Sequence, residues 1–195
     1  MRLLGMAVLF LALGVSKYVS ADAASDGENC NSIKNDDLIL CVNKKYTLSD
    51  KILNEVYQKN INLMSAENKK ELKDVQIAWI RFKERHCQNI YDAISPGREA
   101  DIEKILCLLG VTKKRTYELL SIESGDSEEL FSDILSALHG VGYGKSEVVG
   151  KLVNASTNGD NGWKEYVSKS CNFSSRMSGE KVSFCIARLN LFRGE

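Results

Sequence analysis

The stretch Gln76-Ile-Ala-Trp-Ile-Arg-Phe-Lys-Glu-Arg-His-Cys87 decides how this chain folds, because much of it returns as Trp163-Lys-Glu-Tyr-Val-Ser-Lys-Ser-Cys171. In both places an aromatic residue follows the tryptophan by three positions and a cysteine follows it by eight. Each copy then continues to a second cysteine, which is followed by a polar residue after five positions and by an arginine after eight. These residues are Cys107, Thr112 and Arg115 in the first copy and Cys185, Asn190 and Arg193 in the second. The shared spacing predicts a repeated helical unit.

The first copy lies on an amphipathic segment that runs from about Lys69 to Tyr91. Apolar residues recur there at helical spacing, which is typical of a helix with one face against a core. This stripe consists of Leu72, Val75, Gln76, Trp79, Phe82, His86 and Ile90. We therefore expect Trp79 and Phe82 to be core residues, and Trp163 and Tyr166 to be their counterparts in the second copy.

Gln76 is a polar amide on this apolar stripe, one helical turn before Trp79. A buried amide needs hydrogen-bond partners, so we expect Gln76 to bond another helix near Asn54 or Tyr57. The sequence leaves two alternatives for the surroundings of Arg115 and Arg193. Each arginine either pairs with a carboxylate near a disulfide or is exposed.

The composition is typical of a helical protein. The 195 residues include 26 acidic and 26 basic side chains, which give a formal net charge of zero. Nucleic-acid-binding proteins usually carry a basic stripe that neutralises phosphates, so the charge balance argues against a nucleic-acid partner. The single proline and the abundance of Leu, Lys and Glu predict an all-α fold.

The first residues have the pattern of a signal peptide. Arg2 precedes an apolar run from Leu3 to Val15, and small residues at Ala21 and Ala23 offer two cleavage sites. A run of this length is too short to span a bilayer, which needs roughly 20 residues. We therefore predict a signal peptide at residues 1–23, a periplasmic or secreted protein, and no stable membrane anchor after cleavage.

All six cysteines follow this segment, and an even number of cysteines in an exported chain predicts disulfides. The repeat indicates the pairs Cys87–Cys107 and Cys171–Cys185, which leaves Cys30–Cys41. On the chain-entropy account each bond stabilises the fold by roughly 3 kcal/mol. The competing interpretation is a zinc site, but the chain contains no Cys-x-x-Cys motif.

The chain divides into two predicted helical units. Residues 24–122 form the first, in which Ser95-Pro-Gly97 separates two antiparallel helices. Glu123-Ser-Gly-Asp126 has the composition of a linker, and residues 126–195 form a shorter unit that repeats the first only in part. The predicted fold is therefore an all-α, disulfide-stapled helical bundle with a shorter, partially repeated helical unit.

No set of residues in the sequence predicts catalysis or a cofactor. His86 lies on the apolar stripe, where a packed histidine is the simpler interpretation. His139 precedes a glycine-rich run that lacks the Lys-Ser/Thr ending of a phosphate-binding loop. Acidic residues are scattered along charged helix faces. We therefore predict that the protein is not an enzyme and has no catalytic, cofactor-binding or metal-binding residues.

Residues 30–120 resemble the LprI-like lysozyme-inhibitor N-terminal domain of exported bacterial proteins. The family pattern combines early cysteines, an Asp-x-x-Leu-Asn-x-x-Tyr helix and a Gln-x-x-Trp-x-x-aromatic helix, followed by Cys, Cys, Thr and Arg. The matching residues are Cys30, Cys41, Asp50, Leu53, Asn54, Tyr57, Gln76, Trp79, Phe82, Cys87, Cys107, Thr112 and Arg115. The chain departs from the pattern at Lys83-Glu84, where the family prefers Arg-Asp.

The resemblance implies an all-helical protein that is not an enzyme, from a family named after a member that inhibits lysozyme. Lysozyme acts through two carboxylates in a cleft, and a rigid inhibitor can block such a cleft by occlusion. The expected function is an exported helical binding protein that inhibits lysozyme or another peptidoglycan-cleaving enzyme in this way. The alternative is a periplasmic or secreted protein of envelope or host interaction without inhibitory activity.

Overall fold

The computed structural model describes residues 30–155 and 160–193, so the predicted signal peptide lies outside the described residues. Seven helices and no β-strand occupy these ranges, which confirms the predicted all-α fold. The helices are α1 (Asn35–Leu63), α2 (Ala66–Ile94), α3 (Ala100–Ser124), α4 (Asp126–Gly140), α5 (Lys145–Ala155), α6 (Asn161–Ser178) and α7 (Val182–Phe192). None of them combines the length and apolar character that a membrane crossing requires.

Short polar side chains set the boundary between α1 and α2. Within α1, Thr47 Oγ1 donates to the carbonyl of Asn43 at 2.9 Å, so this residue bonds its own helix and does not interrupt it. Ser65 caps α2, because its Oγ accepts a hydrogen bond from the backbone N–H of Asn68 at 3.3 Å. Ser65 therefore marks the start of α2 and the boundary between two helices of 29 residues each.

The turn between α2 and α3 requires a glycine. The N–H of Gly97 donates to the carbonyl of Ile94 at 2.7 Å. A Cβ at Gly97 would lie 2.6 Å from that carbonyl oxygen, closer than a side chain can approach. This tight turn reverses the chain and brings α3 back against α2.

The predicted linker between the two units is a single residue. Helix α3 continues through Gly110 to Ser124, and α4 begins at Asp126. Gly125 separates them in the left-handed conformation, with φ of 74°, which only glycine adopts without strain. The backbone therefore changes direction at one position where the composition indicated a longer linker.

One hydrophobic cluster contains residues of both predicted units. Helix α3 packs against α1 and α2, α6 packs against α2, and α7 packs against α5 and α6. The largest buried residues of the cluster are Leu53, Leu72, Trp79, Phe82, Leu119, Trp163, Tyr166, Phe173 and Leu189. A smaller cluster around Phe131, Leu135 and Ala187 joins α4, α5 and α7. Helices α1, α2, α3, α6 and α7 thus share one main core.

Three disulfides fasten the bundle. Cys87–Cys107 joins α2 to α3, Cys171–Cys185 joins α6 to α7, and Cys30–Cys41 attaches the segment before α1 to α1 itself. Their Cα–Cα distances are 5.5–5.7 Å, within the usual range. The repeat indicates the pairs Cys87–Cys107 and Cys171–Cys185 and leaves Cys30–Cys41, and the structure contains all three.

Candidate functional site

The aromatic residues of the two sequence copies meet in the core, between α2 and α6. The ring centroids of Phe82 and Trp163 are 4.7 Å apart, and those of Phe82 and Tyr166 are 6.1 Å apart. Together with Trp79, all of these side chains are buried. These aromatic residues of the recurring stretch therefore hold the helices together and are not accessible to a partner.

Beside these rings lies a buried polar network around Arg115. Its Nε donates to Gln76 Oε1 at 3.0 Å, and its Nη1 donates to Glu118 Oε2 at 2.9 Å. The Tyr166 hydroxyl donates to the same carboxylate oxygen of Glu118. Gln76 therefore bonds another helix, as expected, but its partner Arg115 is not on α1, the helix of Asn54 and Tyr57. Its partner is on α3, because α3 and not α1 faces the apolar stripe of α2 at this level.

The electrostatics of the network suit a structural ion pair. Burial, followed by the Glu118 carboxylate, raises the pKa of Tyr166. Burial acts to lower the pKa of Arg115, but Tyr166 and Glu118 outweigh that effect and the pKa is raised. At neutral pH Arg115 is therefore charged and Tyr166 keeps its proton. Neither group is suited to exchange protons near pH 7.

The arginine of the second copy makes a corresponding contact at the protein surface. Arg193 Nη2 lies 4.0 Å from Asp160 Oδ2, and its guanidinium lies 5.1 Å from the centroid of the Trp163 ring. The Trp163 indole N–H donates to Asn190 Oδ1 at 2.8 Å. Asp160 precedes Trp163 by three positions, as Gln76 precedes Trp79. Sequence reasoning missed Asp160, although aligning the tryptophans identifies it.

The signature residues of α1 connect that helix to α2 through Lys83. Leu53 is buried, and Asn54 Nδ2 donates to Asp50 Oδ2 at 3.1 Å. The other Asp50 oxygen lies 3.9 Å from Lys83 Nζ, which also lies 4.8 Å from the centroid of the Trp79 ring. Lys83 is only 8% exposed and thus occupies a structural position between α1 and α2.

Tyr57 and His86 are half-buried ionisable groups at the edge of the core. Burial raises the pKa of Tyr57, against an opposing effect of Arg115. The His86 ring stacks on Phe82 with centroids 5.2 Å apart. Burial, and then the cation of Arg193, lowers the pKa of His86. His86 is therefore packed in its neutral form.

The lowered pKa of His86 predicts that the protein loses stability on acidification. In the unfolded chain His86 binds a proton near its ordinary pKa of 6.5, whereas in the folded protein it binds the proton only at lower pH. The free energy of unfolding should therefore fall as the pH falls through about 6.5, within the range of histidine titration. Urea denaturation at several pH values between about 8 and 5.5 measures this slope.

His86→Gln should flatten the slope, because it removes the titrating group. Arg193→Gln should flatten it in part, because it removes a cation that opposes protonation. An unchanged slope in His86→Gln would show that other groups determine the pH dependence.

A partner-binding surface must lie outside this core, and the outer face of α1 is a strong candidate. Exposed apolar side chains and two lysines lie along this face, beside the exposed ion pair of Lys51 and Glu55. The outer face comprises Leu40, Lys44, Leu48, Ile52, Lys59 and Leu63. Leu48 is 42% exposed and Ile52 is 43% exposed. Neither Lys44 nor Lys59 forms an ion pair with any described residue.

A metal centre receives no support from the geometry. Within residues 30–155 and 160–193, no group of three His, Cys, Asp or Glu side chains is placed to hold a metal ion. All six cysteines are in disulfides.

One protein-family model matches the first half of the chain. Residues 28–119 match the family model described as lysozyme inhibitor LprI. The match confirms the resemblance seen in the signature between residues 30 and 120, and it covers α1, α2 and most of α3. No curated protein and no solved structure matches the chain.

Proposed function

From the match of residues 28–119 to the lysozyme-inhibitor family, we propose that this protein is an exported inhibitor of lysozyme or another peptidoglycan-cleaving enzyme. It acts as a binding protein, without catalysis or a cofactor, in the periplasm or after secretion. The observation that carries the proposal is the family match, which coincides with the helices that the first two disulfides fasten.

The proposal extends to the organisation of the chain into two related units, residues 24–122 and 126–195. In this interpretation α5, α6 and α7 correspond to α1, α2 and α3. Two parallels support it: α5 packs on α7 as α1 packs on α3, and a disulfide joins the second and third helix of each unit. The family match covers only the first unit, so inhibition is assigned to that unit.

The outer face of α1 has the chemistry to enter an enzyme cleft. A lysozyme cleft contains two carboxylates, and the unpaired ammonium group of either Lys44 or Lys59 complements such charges. The two lysines lie about 22 Å apart along α1, so only one of them can approach the carboxylates while the other lies towards the end of the cleft. Leu48 and Ile52 lie between the two lysines and supply apolar surface that docking removes from water. An exposed helix that lies in a groove is a common mode of recognition. Its fixed attachment to the bundle lowers the entropy cost of binding.

Charge reversal on this face tests the proposal. Wild-type protein in molar excess should slow the clearing of a peptidoglycan suspension by lysozyme. Lys44→Glu together with Lys59→Glu should weaken inhibition by about tenfold or more, because two attractive charges become repulsive. The concentration that halves the clearing rate measures the effect.

A matched control separates a local effect from a change in net charge. Lys164→Glu together with Lys181→Glu makes the same charge change on exposed residues at α6 and just before α7. This control should inhibit like the wild type. Equal loss in both double variants would contradict the role of the α1 face. A wild-type protein that inhibits no lysozyme type would contradict inhibition itself and favour the envelope or host-interaction alternative.

A further inference from the structure

A groove lies between α3, α4 and α7, away from the outer face of α1. Its cavity volume is about 310 Å³, within the size range of small-molecule sites. The walls are almost entirely apolar and are formed by Tyr117, Leu130, Leu189 and Phe192. Leu189 is buried, whereas Tyr117 and Leu130 remain exposed at the mouth. The groove thus presents apolar area that the fold itself does not cover.

Some charged groups of this groove have partners inside the protein, and others are free to contact a ligand. Glu118 accepts hydrogen bonds from Arg115 and Tyr166, and Arg188 donates two hydrogen bonds to Glu180, each 2.9 Å long. These charges are compensated inside the protein. Lys113, which also lines the groove, makes no hydrogen bond or ion pair with the described part of the chain.

Lys114 adds a second cation to the rim. Its Nζ donates to the uncharged backbone carbonyl of Arg193 at 3.1 Å, so its charge has no anionic partner at hydrogen-bonding distance. The groove therefore combines apolar walls with two available ammonium groups, Lys113 and Lys114. An anion with an apolar body complements this arrangement.

We propose that this groove binds a single-chain amphiphilic anion, a medium-chain fatty carboxylate. Its alkyl chain packs between Tyr117, Leu130 and Phe192, and its carboxylate pairs with Lys113 and Lys114. The volume of about 310 Å³ leaves room for an alkyl chain of medium length. A sugar fits poorly, because the walls offer few hydrogen-bonding groups to its hydroxyls.

Calorimetric titration of the full chain with sodium decanoate, below its micelle concentration, tests the proposal. We expect saturable binding to one site. Decan-1-ol has the same chain without the charge and should bind about tenfold more weakly. Lys113→Gln should weaken decanoate binding several-fold and leave decanol binding unchanged, because only the carboxylate contacts that lysine.

Two tryptophan substitutions of equal size locate the site. Leu130→Trp fills the groove and should weaken decanoate binding at least tenfold, while Leu120→Trp, on an exposed α3 residue outside the lining, should bind like the wild type. Absence of saturable binding would overturn the proposal, as would binding that Leu130→Trp leaves unchanged. Because these titrations contain no enzyme, their outcome is independent of lysozyme inhibition.

Discussion

Replacing Arg115 by alanine should lower the free energy of unfolding by about 3–5 kcal/mol, the range observed when one partner of a buried ion pair is removed. The Arg115 side chain is almost fully buried and serves Gln76 on α2 and Glu118 on its own helix. Without it, the Glu118 carboxylate keeps only the Tyr166 hydroxyl as a donor, and the Gln76 amide oxygen loses its partner. A buried acceptor without a donor retains its full desolvation cost.

Arg193 provides the matched control, because it is the arginine at the same position of the second copy. Its contact with Asp160 is longer, at 4.0 Å, and both side chains are more than a quarter exposed. Solvent screens such a pair, so Arg193→Ala should cost no more than about 1 kcal/mol. Urea denaturation followed by far-UV circular dichroism measures both values. Equal losses in the two variants would contradict the structural importance assigned to the Arg115 network.

Local sequence patterns predicted the helical fold, because each pattern acts over a few residues. Ser65 caps α2 through its neighbour Asn68, and Gly97 closes a turn within four residues. The pairs Cys87–Cys107 and Cys171–Cys185 follow from the signature that both copies share around each cysteine, although the bonds span 20 and 14 residues. In all these cases the geometry depends on short chain segments, whose physical preferences the sequence displays directly.

Side-chain partners between helices could not be predicted in the same way. Gln76 bonds Arg115, which is 39 residues away, and Lys83 reaches across to Asp50 on α1. Such pairs depend on which helix face meets which, and that choice follows from packing of the whole bundle. The stripe pattern correctly indicated that Gln76 is buried. It contained no information on whether α1 or α3 covers the residue.

Sequence patterns also did not predict how the two units pack against each other. Composition suggested a linker at residues 123–126, whereas the structure has one glycine between α3 and α4. Helix α6 then lies against α2, so aromatic residues of both copies share one cluster. Units that share a core are expected to unfold together, since neither buries its apolar surface alone.

Replacing Phe82 by alanine should therefore lower the free energy of unfolding of the whole bundle by about 3–5 kcal/mol. Phe82 is 3% exposed and contacts both Trp163 and Tyr166 of α6. Its removal leaves a cavity at the contact between the units, and the surrounding helices can close it only in part. Phe82→Leu, which keeps more of the volume, should cost less and gives a measurable value if the alanine variant does not fold.

Two probes of the same unfolding experiment distinguish a shared core from two separate ones. Circular dichroism reports on all helices, whereas fluorescence of a Trp79→Phe variant reports on Trp163 in α6. With a shared core, Phe82→Ala shifts both transitions to the same lower urea concentration. Ile80→Ala, two residues away but 37% exposed, should cost no more than about 1 kcal/mol. If Trp163 kept the midpoint of the Trp79→Phe parent when Phe82 is also replaced, the units would be independent, because α6 would then be stable without its contact to α2.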